Sequence, residues 1–419
     1  MYPTPEGPLE TREQMVQLDD TFLTSDPFGY FVSRIAMIHT WATAHKETEP
    51  GGDKTSSGAG DVSDGGPGDD GIPTAVGRPD LNPIIEAVMR NTEAAGPGPM
   101  VVSAQVAVDA FALRHHIAEA LARLFVACSE RFIQQEPPAT SLWSRMTDDK
   151  SFQVQQLVKA AKKAGRDLPD EGFSQLVLPP DLQATTAEEF AHVQAFVHLC
   201  ADWLEHATTL LMPAELDINT AHNKVKHGLA VRGRSDIKIA FSTVGPDEEG
   251  NLPLAAFDPD VSFDIFDSPV LEFMSRPKLP GHSRRGLEVT QLRLDYRALL
   301  AESALMALVH GALFHVAARL HFCDHPVRYG LSVAPHPGWV GTGSSKPNLG
   351  GHQVGLRFPI TNPPEGGTAR SAGLGYRDGS FMPLTFTGGR ISGQIVGNPP
   401  DADDNSSIEG DECGPEEEQ

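Results

Sequence analysis

Residues 185–211, TTAEEFAHVQAFVHLCADWLEHATTLL, set the architecture of this chain. The first four residues resemble a capping box, in which a hydroxyl and a carboxylate satisfy the free amides at a helix start. Apolar side chains then recur at three- and four-residue steps, as on one face of a helix: Phe190, Val193, Phe196, Val197, Leu199, Trp203 and Leu204. Pro213 ends this helix. A second helix is predicted from Ala214 to about Val231, which gives a helical hairpin with a short connection.

The same periodicity predicts further helices on both sides of the hairpin. They run from about Pro27 to Lys46, Asp80 to Thr92, Val101 to Gln135, Ser151 to Lys163 and Tyr296 to His321. Within the last helix, Ala298 to Cys323 comes close to the length that spans a membrane. It contains Glu302, His310, His315 and Arg319, so a buried core helix explains it better than a bilayer does.

Between about residues 235 and 295 the pattern changes from helical to alternating. Short apolar runs around Ile239, Val261 and Leu292 are separated by Gly, Pro and Asp, which is typical of strands joined by turns. The predicted fold class is therefore mainly α: a helical bundle with a small inserted antiparallel β-sheet and disordered acidic segments.

Two segments carry most of the net charge of −23. Residues 47–77 hold seven acidic residues against Lys54, and residues 401–419 hold nine acidic residues and no basic one. Both are poor in apolar residues and cannot bury enough surface to offset the entropy of ordering. The remaining charge is ordinary for a folded domain of this size, and it neither requires nor forbids an anionic partner.

These patterns divide the chain into five regions. They are an N-terminal helix region (1–46), a disordered acidic linker (47–77), a helical core with the β insertion (78–325), a Gly- and Pro-rich region (326–398) and a disordered acidic tail (399–419). The composition of 326–398 does not distinguish a folded from an unfolded segment, although residues 353–360 form a strand-like run.

The cysteines and the N-terminal residues narrow the class of protein. Cys128, Cys200, Cys323 and Cys413 are far apart and form no C-x-x-C pair, so neither a disulfide framework nor a cysteine-rich zinc site is expected. The first 14 residues lack the basic flank and apolar run of a signal peptide, which predicts a cytoplasmic protein without a membrane partner. No cofactor is predicted, and a homo-oligomer is compatible with the sequence.

The most distinctive local sequence is AHNKVKHG, residues 221–228, on the second helix of the hairpin. Four-residue steps place a carboxylate, two amides and an imidazole on one helical stripe, with a second imidazole and an amine beside it. These residues are Glu215, Asn219, Asn223 and His227, flanked by His222 and Lys226. Residues 222–238 also form the most basic local stretch, in which only Asp236 opposes the arginines at 232 and 234.

Such a row can position a phosphate or activate a hydroxyl, because His titrates near neutral pH and Lys or Asn stabilises developing negative charge. His227 and Asn223 are therefore the candidate catalytic residues. Lys226, His222 and Arg232 are the candidate ligand-binding residues. The alternative interpretation is structural: the amide and the imidazole bond to neighbouring helices, and the glycine at 228 eases close packing or a bend.

The string N-x-x-K-H-G formed by Asn223, Lys226, His227 and Gly228 resembles motifs in helical domains related to the HEPN superfamily. The active members of that superfamily are metal-independent ribonucleases, so the resemblance implies a helical fold and an RNA or nucleotide partner. Their catalytic signature is an Arg followed after four to six residues by a His. On the helix of His227 the residue four positions earlier is Asn223, so the sequence does not establish whether the protein is an enzyme.

Two alternatives come from other classes of function. His198, Asp202 and His206 follow one another at four-residue steps, and His198 with Asp202, or Asp202 with His206, could share a metal ion if other helices supplied ligands. The acidic segments could instead make weak, salt-sensitive contacts with basic partners, as in a non-enzymatic interaction or scaffold protein.

Overall fold

The computed structural model describes residues 10–44, 99–133, 140–147, 154–168, 171–212, 218–228, 231–235, 239–245, 253–258, 260–266, 269–276, 286–324, 327, 331–338, 355–359, 384–387 and 390–393. In this part of the chain the predicted fold class is confirmed, because helices dominate and a small antiparallel sheet accompanies them. The predicted acidic linker (47–77), the helix from residue 80 to 92 and the acidic tail (399–419) lie outside the described residues.

The predicted helices that lie in the described residues appear in the predicted order, together with three that were not predicted. They are α1 (Arg12–Leu23), α2 (Pro27–Ala44), α3 (Pro99–Ile133), α4 (Leu142–Met146), α5 (Val154–Asp167), α6 (Gly172–Val177), α7 (Ala187–Leu210), α8 (Ile218–Lys226) and α9 (Tyr296–Asp324). α7 begins with a capping box, one residue later than the sequence predicts. The hydroxyl of Thr186 accepts from the backbone of Glu189, and the Glu189 carboxylate accepts from the backbone of Thr186.

α3 and α9 form the centre of the helical layer. They pack against each other, and α2, α5, α7 and α8 also contact α3. Large side chains of both helices are fully buried, among them Phe111, Leu121 and Phe125 of α3 and Phe314 of α9. A helix that is apolar on most of its circumference must be surrounded by other elements, which explains why these two helices occupy the centre.

α9 is long and apolar enough to cross a membrane by length and composition alone. In the structure 78% of its most apolar window is buried inside the protein. It contacts α1, α2, α3, α6 and α7. Its apolar character is therefore used by packing within the fold, as the sequence predicts.

α8 is shorter than the sequence predicts, and the predicted helix to Val231 is wrong at its C-terminal end. The helix stops at Lys226, and Gly228 adopts a φ of 62°. This left-handed conformation favours glycine and is a common helix stop. The chain then turns into the strand β1 (Val231–Arg234), where Gly233 lies so close to α3 that a Cβ atom there would be 3.2 Å from Val108 Cγ2.

The main sheet has four antiparallel strands in the order β1, β4, β5, β6. Strand β4 is Val270–Ser275, β5 is Glu288–Arg293 and β6 is Gly355–Pro359. In the register, Leu271 lies opposite Leu292, and Gln291 lies opposite Leu356. Alternate residues of β5 are buried, so one face of this strand is sealed inside the protein.

Two separate hairpins complete the strands. β2 (Ile239–Ser242) pairs with β3 (Ser262–Phe266), and β7 (Leu384–Thr387) pairs with β8 (Arg390–Gly393). The predicted insertion between about 235 and 295 therefore contains two sheets, since β2 and β3 do not join the larger one. The strand-like run at 353–360 is β6, so part of the Gly- and Pro-rich region joins the main sheet.

Three short or polar helices are not anticipated by apolar periodicity. α1 is rich in polar residues and is held at its start by a capping box between Thr11 and Gln14. α4 begins at the cap Ser141, whose backbone N–H donates to the carboxylate of Glu10 at 2.8 Å. Because α4 and α6 have five and six residues, they are too short to show a full hydrophobic period.

Candidate functional site

The predicted site residues Asn223, Lys226 and His227 are exposed at the C-terminal end of α8. His227 follows the last helical residue, and its backbone N–H donates to the carbonyl of Asn223 at 3.2 Å. The next amide, of Gly228, donates to the carbonyl of Val225 at 3.1 Å. Since both amides are used within the helix end, a ligand here would be bound by side chains.

The remaining predicted residues lie in different surroundings. Arg232 is exposed on β1, four residues after the glycine that ends α8. Asn219 donates a long hydrogen bond of 3.4 Å from Nδ2 to the carbonyl of Leu211, across the connection to α7. Glu215, the first member of the predicted stripe, lies outside the described residues. The stripe is therefore divided between a structural part near α7 and an exposed part at the helix end.

His222 faces the interior, unlike the other predicted site residues of α8. Its side chain is buried and its ring stacks on that of His115 of α3, with centroids 4.9 Å apart and an angle of 15° between the planes. Burial lowers the pKa of His222 to about 4. Burial, together with the charge of Arg114, also holds the pKa of His115 well below its usual range. Both rings are therefore neutral at physiological pH.

α3 contacts both α8 and α2, and His116 of α3 interacts with groups on each of these two helices. The His116 ring contacts Phe31 of α2 edge to face, with centroids 5.7 Å apart. One turn along α2, Nη1 of Arg34 donates to the hydroxyl of Tyr30 at 3.1 Å, and Tyr30 is 49% exposed. Burial and then the positive charges of Arg34 and Lys226 lower the pKa of His116, while Glu119 opposes them.

We call Tyr30, Arg34, His116, Lys226 and His227 the cationic surface. It carries two permanent positive charges, two imidazoles and one exposed aromatic ring. The adjacent carboxylate of Glu119 already accepts from Arg123 at 2.7 Å, so its charge is matched. Asp109 of α3 also interacts with Arg34, so Arg34, Lys226 and Arg123 face Asp109 and Glu119. This leaves an excess of one positive charge in a region of a chain that is acidic as a whole.

A second constellation lies inside the protein, on the inner side of α8. Oε2 of Glu302 on α9 accepts from Nη1 of Arg114 on α3 at 3.0 Å, and the same oxygen lies 3.2 Å from Nε2 of His206 on α7. The Arg114 and Glu302 side chains are only 4% and 6% exposed, whereas that of His206 is 18% exposed. We call these three residues the buried triad.

The charges of the buried triad stabilise one another. Burial acts to raise the pKa of Glu302, but the hydrogen bond from His206 and the charge of Arg114 outweigh it, so the pKa is lowered. Burial likewise lowers the pKa of Arg114, and Glu302 opposes this. A buried ion pair needs such mutual compensation, because each charge alone would be costly away from water.

Several polar atoms around the buried triad have no hydrogen-bond partner among the residues that the structure describes. They are Nε and Nη2 of Arg114, Nε2 of His115 and Nε1 of Trp203, all of them buried. The Trp203 ring contacts the His206 ring edge to face at 5.1 Å, and the Arg114 guanidinium lies 5.5 Å from the Phe111 ring centre. Buried polar groups in folded proteins are ordinarily paired, so this concentration of unsatisfied atoms marks the region as unusual.

The predicted metal ligands are not gathered at one point. His206 turns to Glu302, and His198, two turns earlier on α7, is exposed. Within the described ranges, no group of three or more His, Cys, Asp or Glu side chains is arranged to hold a metal ion. His206 is instead hydrogen-bonded to the Glu302 carboxylate of the buried triad.

Three Arg and His pairs in the sequence have the spacing of the HEPN signature: Arg34 with His39, Arg276 with His282 and Arg319 with His325. His282 and His325 lie outside the described residues. In the remaining pair Arg34 bonds to Tyr30, and His39 is exposed on α2. Arg319 is engaged by Asp181 at 2.9 Å.

Sequence reasoning did not single out Arg114 and Glu302, although a signal for them existed. Arg114 stands between Phe111 and Ile117 in an apolar helical run, and Glu302 stands near the start of the apolar helix α9. A lone base and a lone acid in two core helices are expected to pair, because isolated buried charges are rarely tolerated. This inference requires knowing that α3 and α9 face each other, which periodicity alone does not give.

Comparisons with protein-family models, with curated proteins and with solved structures gave no match for this chain.

Proposed function

We propose that the protein binds the phosphate of an RNA or nucleotide at the cationic surface, with Asn223 and Arg232 at its margin. The observation that carries the proposal is the exposure of Lys226 and His227 at the end of α8, where the charge of Lys226, like that of Arg34 on α2, acts on His116 of α3. Lysine and arginine side chains are the usual partners of phosphate, as point charges and as planar donors respectively.

The polar groups in this region have complementary roles in the proposed site. Lys226 and Arg34 supply the positive charge, and the amide of Asn223 and the ring of His227 supply hydrogen bonds. Tyr30 offers an exposed aromatic face, on which a base can stack without sequence preference. Because the helix-end amides are already bonded, the site differs from the common phosphate site at a helix start.

The distribution of charge favours a local site over a large electrostatic footprint. Arg234 is paired with Glu272 at 3.8 Å, which removes one cation from the basic stretch at 222–238. The acidic segments at 47–77 and 401–419 would repel a long polyanion. A single-stranded RNA or a nucleotide, which needs few phosphate contacts, is therefore the preferred ligand class. The resemblance to the HEPN superfamily supports the same class.

Fluorescence anisotropy with a labelled single-stranded RNA of mixed sequence tests this proposal on the purified full chain. We expect salt-dependent binding, with a slope in the log–log plot of affinity against salt of about −0.7 for each phosphate contact. Lys226→Ala should weaken binding and reduce that slope by about one contact's worth, and His227→Ala should weaken binding further.

The matched control is Lys162→Ala, which removes one exposed lysine from α5 and should leave both affinity and slope unchanged. Integrity of the RNA after incubation shows in the same samples whether His227 also transfers protons. Absence of binding by the wild type, or equal losses from Lys226→Ala and Lys162→Ala, would overturn the proposal.

A further inference from the structure

We propose that the buried triad and its surroundings hold a small carboxylate-bearing ligand on the free edge of the Arg114 guanidinium. Arg114 is 3% exposed and bonds to Glu302 through Nη1 alone. Its Nε and Nη2 atoms have no acceptor in the described part of the chain. These two nitrogens lie side by side on one edge of the planar group. That edge is the one that binds the two oxygens of a carboxylate with parallel hydrogen bonds.

The neighbouring side chains match such a ligand in chemistry. Trp203, which is fully buried, has an unpaired Nε1–H that can only donate. His115 also has an unpaired nitrogen, and its Nδ1 lies 3.2 Å from the carbonyl of Phe111. Since this contact requires Nδ1 to carry the proton of the neutral ring, Nε2 is left as an acceptor. Within the part of the chain that the structure describes, the surroundings of the triad therefore contain three unpaired donor nitrogens and one unpaired acceptor nitrogen.

The charge balance of the triad favours a ligand of low charge. Arg114 and Glu302 cancel each other, and His206 contacts the same Glu302 oxygen that binds Arg114. A monocarboxylate adds a single negative charge, whereas a dianionic phosphate adds more charge in a buried setting, which is unfavourable. His206 is the least buried member, so it gives the triad its contact with the surface.

This inference does not depend on the cationic surface, and acetate is the probe that separates the two. Thermal unfolding of the full chain in sodium acetate and in sodium chloride of equal ionic strength should show a higher Tm in acetate. This increase should become larger with acetate concentration, because a ligand that binds only the folded state stabilises it more as its concentration rises. Lys226→Ala should keep the whole increase, whereas it should lose RNA affinity.

Arg114→Lys keeps the charge opposite Glu302 but removes the two-nitrogen edge. About ten times more acetate should then be needed for the same increase in Tm. Its control is Arg123→Lys, since Arg123 bonds to Glu119 through its own Nε and Nη2 edge near the surface. Trp203→Phe keeps most of the ring volume and removes Nε1–H, and it should reduce the response to a smaller extent.

A second measurement keeps the inference testable if Arg114→Lys does not fold. The Nε–H resonance of Arg114 and the Nε1–H resonance of Trp203 should both move in nitrogen-15 NMR spectra of the wild type as acetate is added. Identical melting in acetate and chloride, with both resonances unmoved, would overturn the inference and assign the unpaired atoms to internal water.

Discussion

Two successive turns of α8 place the same types of side chain in opposite environments. In the middle of the helix His222 is buried and stacked on His115. At the C-terminal end, one turn further along the chain, Lys226 and His227 are exposed. A histidine in the first setting contributes to stability and to the pH dependence of folding. A histidine in the second is free to meet a ligand. Residue type alone therefore does not indicate which role applies.

The largest effect expected from this contrast follows removal of the carboxylate from the buried triad. Glu302→Gln leaves the buried Arg114 charge without its partner and takes the acceptor charge from His206. We expect the free energy of unfolding to fall by about 3–5 kcal/mol, as for other buried pairs that lose one partner. Urea denaturation followed by circular dichroism measures this change.

Glu119→Gln is the matched control, because the carboxylate of Glu119 bonds to Arg123 on the same helix in a partly exposed position. Its loss should cost about 1 kcal/mol or less. If the two variants were equally stable, the buried triad would contribute no more than a surface ion pair.

The second effect concerns pH and the histidines that the fold keeps neutral. The pKa values of His222 and His310 are lowered to about 4 by burial, so the unfolded chain binds protons more readily than the folded one between pH 6.5 and 4. Their contribution to stability is complete above pH 6.5 and is lost as the pH falls towards 4. Each of the two can account for up to about 3 kcal/mol over that range.

Replacing His222 by Phe preserves a ring against His115 and removes one group that takes up a proton when the chain unfolds. The free energy of unfolding should then fall less steeply between pH 6.5 and 4, by about one proton's worth of slope. Asn223→Ala, at an exposed position of the same helix, removes no titrating group and should keep the wild-type slope. Parallel pH profiles for His222→Phe and the wild type would show that the stacked ring is not a source of acid sensitivity.

The smallest effect concerns the glycine at the end of α8. Gly228 has a φ of 62° and open space around its Cβ position, so a substitution there meets backbone strain and no steric contact. Gly228→Ala should lower the free energy of unfolding by about 1 kcal/mol. Gly165→Ala on α5 also meets open space, but its backbone is helical, so it should raise stability by about 0.5–1 kcal/mol. Thermal melts of the two variants should therefore shift in opposite directions.

The helices were predictable because their signals are local. The capping residues of α7 and the apolar periodicity of α3 and α9 lie within the elements that they specify. The end of α8 was misplaced because its residues to Val231 keep a helical pattern, and the left-handed turn at Gly228 has only a single glycine as its signal. The strand β4 was missed because its two consecutive buried residues, Val270 and Leu271, interrupt the alternation.

The candidate sites show the limit of sequence reasoning more sharply. The exposed polar residues of α8 could be identified from spacing along one helix. The buried triad joins positions 114, 206 and 302, which are brought together only when three helices pack. Charges in apolar runs were visible in the sequence, but their pairing depends on which helical faces meet. That information resides in the tertiary structure.

The position of β6 has a consequence for how the chain withstands proteolysis. β5 is bordered by β4 on one side and by β6 on the other, while the whole of α9 lies between β5 and β6 in the sequence. A cut after α9 that released β6 would preserve the central helices but leave β5 without its partner strand. The backbone N–H and C=O groups of β5 would then be unpaired and could bind a strand from another molecule. Clipped chains are therefore expected to self-associate more readily than intact ones.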